Sequence, residues 1–213
     1  MNQTINQSQI DQGQQQNIKK TIKLFTFDIE TTSVVRDDHH KIIQFAWQKS
    51  ENGIASADGL IYLQIDFEIP QVIKELTKID NARLDQLGIN HRQGLKAIVQ
   101  LLNESVKDGY YLAGHNIVGF DIFYIFEQAD RYIHDDPNYI ELMQAFLNHE
   151  IKWFDSLINA RKEVNADHYE AGFKNAQLAT KYGISFDPEQ LHDAKVDVEL
   201  SAKNLWHQAK RLL

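Results

Sequence analysis

The chain has 213 residues, no cysteine and a formal net charge of −8, which suits one domain with a real hydrophobic core and excludes a disulfide framework, a thiolate metal site and a cysteine nucleophile. An ordinary apolar fraction of 43%, no run of the roughly 20 apolar residues that span a bilayer, and no apolar centre of a secretory signal near the N-terminus make a cytoplasmic soluble protein the expectation, with no membrane partner. The acidity argues against a basic stripe wrapped around duplex nucleic acid, but not against a strand gripped at one end where cations supply the positive charge.

Residues 1–20 (MNQTINQSQIDQGQQQNIKK) are rich in Gln and Asn and poor in apolar side chains, so they read as a disordered tail before a folded domain at 21–213. The β-prone run 21–27 leads directly into Asp28-Ile29-Glu30-Thr31-Thr32. Two carboxylates at i and i+2 on a strand share one face, because side-chain direction alternates along a strand. About 4 Å apart they repel by about 1 kcal/mol in water and about 4 kcal/mol at an effective dielectric near 20. Either a cation lies between them, or they form a solvated acidic edge.

A polar connection, 33–40, precedes an apolar run at 42–47, and the turn signal Ser50-Glu51-Asn52-Gly53 precedes a third expected strand at 60–65. Three strands on short turns predict an antiparallel meander. The pattern turns helical from Pro70, with Val72, Ile73 and Leu76, then Leu84 and Leu87; a longer helix over 91–106 carries Leu95, Ile98, Leu101 and Leu102. A buried fourth strand is expected at 110–114. From Gly119 a helix follows with Ile122, Phe126, Ala129 and Ile133 on one stripe and Asp121 in its first turn, where negative charge is favoured for structural reasons alone. A helix over 139–146, a short fifth strand over 151–155 and helices over 156–164 and 174–182 come next, the last closed by Gly183. Asp187-Pro188-Glu189 reads as a turn or helical start. The final helix, from about 193, has the seam Ala194, Val198, Ala202, Leu205, Ala209 and Leu212, with Asp197 beside it.

His192 precedes that helix by one residue. Five residues of helix rotate by about 140 degrees, so His192 and Asp197 converge only if His192 lies on the entering loop and folds back. The alternative is an ordinary polar loop histidine.

Asp28, Glu30, Asp121 and Asp197, with His192, form a set that resembles the DEDDh branch of the DEDD 3′→5′ exonuclease superfamily, which includes the proofreading ε subunit of bacterial DNA polymerase III, RNase T and oligoribonuclease. The resemblance rests on Phe27-Asp28-Ile29-Glu30-Thr31-Thr32, on Gly114-His115-Asn116-Ile117-Val118-Gly119-Phe120-Asp121, and on His192 and Asp197 with four residues between. Asp193 stands where the tyrosine branch of the superfamily would need Tyr, and Lys78 where glycine is common. Trp153-Phe154-Asp155 resembles the family's short apolar strand ending in Asp.

The resemblance implies an α/β, ribonuclease-H-like fold: a five-stranded mixed sheet, three antiparallel strands then two parallel, flanked by helices. It implies hydrolysis of single-stranded DNA or RNA from the 3′ end, releasing nucleoside 5′-monophosphates. It also implies two Mg²⁺ or Mn²⁺ ions about 3.5–4 Å apart, held by Asp28, Glu30, Asp121 and Asp197, with His192 as general base. Thr31, Thr32 and Asn116 are its candidate substrate contacts, and Phe45, Ile79 and Phe120 candidates for stacking on bases, with core packing the alternative for each aromatic. Homodimerisation is left open. A polymerase partner is less expected than a stand-alone trimming enzyme. Two other readings on the same fold are a non-catalytic nucleic-acid-binding scaffold and an endonuclease that has no need of His192.

Overall fold

A computed structural model describes residues 21–33, 40–163, 172–191 and 193–212. The expected N-terminal tail and His192 lie outside these residues. The sheet has five strands, β1 (Lys23–Thr31), β2 (Ile42–Glu51), β3 (Ile54–Tyr62), β4 (Tyr111–Gly114) and β5 (Trp153–Asp155), in the order β3-β2-β1-β4-β5. The first three run antiparallel and β4 and β5 join β1 in parallel. This is the ribonuclease-H-like topology expected from the sequence.

β3 lies six residues earlier than its apolar pattern predicts. Asn52 and Gly53 both take positive φ, 50° and 80°, which makes the two-residue turn that joins twisted antiparallel strands. Pairing therefore resumes at once with Ile54 opposite Glu51. Residues 54–58 are all exposed, so backbone hydrogen bonding, not burial, makes them a strand. The apolar end of the expected strand leaves the regular ladder: Leu63 forms an isolated bridge to Ile89, its N–H still donating to the Ile43 carbonyl at 3.0 Å.

The helices are α1 (Gln71–Thr77), α2 (Asn81–Leu87), α3 (His91–Lys107), α4 (Asp121–Ile133), α5 (Pro137–Leu147), α6 (Ser156–Glu163), α7 (Asn175–Lys181) and α8 (Ala194–Ala209), with short 3₁₀ turns at Pro188–Gln190 and Lys210–Leu212. Alternation along β1 divides the core between the two faces of the sheet. Phe25, Phe27 and Ile29 pack with Phe45, Leu95, Ile98 and Leu102 beneath α3, α4 and α5. Leu24 lies on the opposite face with Ala113, Phe154, Leu205 and Ala209, under α8. Asp28 and Glu30 continue the Leu24 row, so the helix that seals Leu24 also passes over the two carboxylates.

Candidate active site

Small side chains let α8 approach the sheet at this point. Ala46 pairs with Asp28 across β1 and β2, and Ala46 packs against Ala194 and Val198 in the first two turns of α8. Asp193 caps that helix by accepting from the Lys195 backbone N–H at 2.9 Å, as expected of an N-cap aspartate. Asp197 is thereby set over the end of β1. One carboxylate oxygen from each of Asp28, Glu30 and Asp197 lies within 4.8 Å of the others.

Asp121, from the start of α4, lines the same cavity as these three acids but is not one of the three whose oxygens lie within 4.8 Å of one another. The β1–β4 ladder ends at the pair Thr26 and Ala113, and the chain after β4 turns away. Gly114 allows this close crossing: a Cβ there would stand 2.3 Å from Ile117 Cγ2 and 2.7 Å from the Phe27 carbonyl oxygen. Asn116 takes φ 63°, and the Asn116 carbonyl accepts from the backbone N–H groups of Gly119 and Phe120. Ile29, past the end of the parallel ladder, donates its N–H to Asp121 Oδ1 at 3.1 Å. The buried Asp121 therefore satisfies the strand and also faces the cluster.

The electrostatics of the four acids follow from this crowding. Burial lifts the Asp28 carboxyl well above the usual range, and the charges of Asp121, Glu30 and Asp197 lift it further. Glu30 is pushed up to about 8, first by burial and then by Asp197, Asp121 and Asp193. Burial raises Asp121 too, partly offset by the backbone hydrogen bond from Ile29. Among the described residues, Asp28, Glu30 and Asp121 have no ion-pair partner. An oxygen-only cluster that holds its charge poorly without a counter-ion is a fitting site for a hard divalent cation.

These acids form one wall of a cavity of about 590 Å³ that also meets His115, Asn116, Phe120 and the α6–α7 region. Of the expected substrate contacts, Asn116 and Phe120 line it. Thr31 and Thr32 are buried beside it: Thr31 Oγ1 donates to the Ser33 carbonyl, Thr32 Oγ1 accepts from the Lys41 N–H, and the Thr32 N–H donates to the Lys41 carbonyl. Phe45 lies elsewhere, fully buried with its ring stacked on Phe27 at 5.8 Å. Ile79, 1% exposed, packs with Ile43, Tyr62, Ile69 and Leu84 and borders a separate cavity of about 200 Å³.

Two further residues, with no role assigned from the sequence, support this cavity. Asp155, at the end of β5, accepts backbone N–H groups from Asn116, Val118, Leu157 and Ile158 at 2.9–3.2 Å. It thus joins the 115–120 loop to the start of α6. His115 Nδ1 lies 2.8 Å from Ser156 Oγ, and burial holds the imidazole below its ordinary pKa. The Asp at the end of an apolar strand was visible in the sequence; its four backbone partners were not.

Carboxylates gathered from a central strand and two helices, beside a cavity wide enough for a nucleotide-sized ligand, suit cation-assisted chemistry on a phosphodiester. The chain belongs to the exonuclease family represented by RNase T, whose family model matches residues 25–205. It is 28% identical over 186 residues to the PolC-type DNA polymerase III of Mycoplasma genitalium, which covers 87% of this chain and 11% of that protein. Among solved structures, the zinc-ion-bound E. coli exonuclease I–ssDNA complex superposes with a TM-score of 0.71 at 18% identity, covering 89% of this chain and 41% of that one. E. coli exonuclease I in complex with a dT13 oligonucleotide gives a TM-score of 0.70 at 17% identity, covering 90% and 42%. The chain thus spans about a tenth of the curated relatives it matches and about two fifths of the exonuclease I chains. No helix among the described residues is long and apolar enough to cross a membrane.

Proposed function

We propose that this protein is a DEDDh exonuclease that removes nucleoside 5′-monophosphates one at a time from the 3′ end of single-stranded DNA or RNA. The observation that carries the reading is the convergence of Asp28, Glu30 and Asp197 within 4.8 Å of one another, with Asp121 bonded to the strand between the first two. Asp28, Glu30 and Asp197 would hold one Mg²⁺ or Mn²⁺, and Asp28 and Asp121 a second. When bound, such a pair polarises the scissile phosphoryl group and lowers the pKa of the attacking water. His192 takes the proton from that water, a role worth roughly 10²–10⁴-fold in rate. Phe120 and Asn116 line the cavity; Phe120 would stack on the terminal base and Asn116 would hydrogen-bond near the phosphate.

The deciding assay uses a 5′-labelled single strand with Mg²⁺ or Mn²⁺. A ladder that shortens from the 3′ terminus, lost in Asp28→Ala, is the expected result. Cuts in a circular strand would establish an endonuclease instead, and binding with no nucleotide release from wild type would establish a scaffold. His192→Ala should lower kcat by roughly 10²–10⁴-fold while Kd for a non-hydrolysable strand moves much less. Equal losses in both would remove histidine from the base role. The likeness to PolC-type polymerases favours one further setting, proofreading beside a polymerase, for which a mismatched 3′ end would be removed faster than a matched one.

A further inference from the structure

In the same cavity as the acids, α6 and the entry to α7 contribute two cations. Leu157 and Arg161, four residues apart on α6, share one helix face and both line the cavity, as do Phe173 and Lys174. The Arg161 and Lys174 side chains are exposed. Neither forms an ion pair among the described residues, with the acid cluster or with any other carboxylate.

Both cations are anchored to the catalytic frame. α6 begins at Asp155, whose carboxylate accepts from Leu157 and Ile158 as well as from the 115–120 loop. Lys174 precedes Asn175, whose side-chain Nδ2 donates to the Asp197 carbonyl at 3.2 Å and to Ser201 Oγ at 2.9 Å. Asn204 Nδ2 donates in turn to the Asn175 carbonyl and side-chain oxygens. A turn of α8 that carries a cluster acid therefore also fixes the position of Lys174.

Two positive charges held on the wall of an acidic cavity, in a chain of net charge −8, with no carboxylate paired to them among the described residues, are placed to meet an anion. Resting on the exonuclease reading above, we infer that Arg161 and Lys174 form a phosphate clamp, holding backbone phosphates of the incoming strand next to the scissile one. The strand thereby meets both the cations of the α6–α7 region and the cation-binding acids of β1 and α8.

The test is equilibrium binding of a fluorescein-labelled oligothymidylate octamer with a non-hydrolysable 3′-terminal linkage, titrated over 50–200 mM salt. Each phosphate neutralised on a single strand contributes about −0.7 to the slope of log K against log salt. Arg161→Gln and Lys174→Gln are each expected to flatten the slope by about 0.7 and to weaken binding about tenfold at the low-salt end. Arg161→Lys keeps the slope, because the charge remains. Unchanged slopes and affinities in both Gln variants, with wild type still degrading strands, would overturn the clamp alone. Failure of wild type either to bind the octamer or to degrade single strands would overturn the clamp and the exonuclease reading together.

Discussion

Replacing Glu30 by Gln should make the metal-free protein more stable while abolishing turnover, and the gain should depend on pH in a defined direction. Glu30 titrates at about 8 in the folded protein against 4.5 for an unperturbed glutamate. Below pH 4.5 the side chain is protonated in both states and costs nothing. Between 4.5 and 8 the unfolded chain releases the proton while the folded one retains it, so stability falls as pH rises, and above 8 the loss is complete. At about 1.36 kcal/mol per pH unit the ceiling is about 5 kcal/mol. Solvent reaching the partly exposed side chain reduces this to roughly 2–4 kcal/mol. Urea unfolding in EDTA, followed by the fluorescence of the three tryptophans, measures it at pH 5, 7 and 8.5. Glu30→Gln and wild type should agree within about 1 kcal/mol at pH 5 and diverge by roughly 2–4 kcal/mol at pH 8.5. Added Mg²⁺ should flatten the wild-type profile, because a bound cation offsets the same repulsion. A constant difference between the two proteins across the pH range would refute the argument.

Asp155→Ala removes the acceptor for four backbone N–H groups; a loss of roughly 2–4 kcal/mol by urea unfolding is expected, with a fall in kcat/KM as the 115–120 loop loosens. Gly114→Ala drives a methyl against the Phe27 carbonyl and Ile117, which should cost roughly 1–3 kcal/mol and displace Asp121, seen as a weaker metal-dependent rise in Tm. Lys78 ends α1 at φ 60°, in the left-handed region, so Lys78→Gly should raise stability by about 0.5 kcal/mol in thermal or urea unfolding. A decrease would mean that the flexibility glycine adds to the unfolded chain outweighs the relief of strain.

Much of this architecture was legible because it depends on short-range patterns. The period-two placement of Asp28 and Glu30, the helical stripe through Ile122 and Ile133, and the seam from Ala194 to Ala209 follow from backbone geometry and burial. Other features were hidden for physical reasons. Residues 54–58 show no apolar alternation because they are held by the turn at Asn52 and Gly53 and by pairing with β2. Phe45 reads as a stacking platform or, more readily, as a core residue until its partner is known, and that partner is Phe27.

The sequence by itself marked the candidate side chains: four acids in a recognisable order, each on a strand or in the first turn of a helix. Only the tertiary structure decided that they meet. Asp28 and Asp197 are far apart along the chain, and their approach requires Ala46 to admit α8 and Gly114 to let the second crossing pass close to β1. Such proximity comes from packing between elements, which no local pattern encodes. The same holds for Arg161 and Lys174, which are ordinary surface cations in the sequence and share one cavity with the acids only once α6 and α7 are tied to the sheet and to α8.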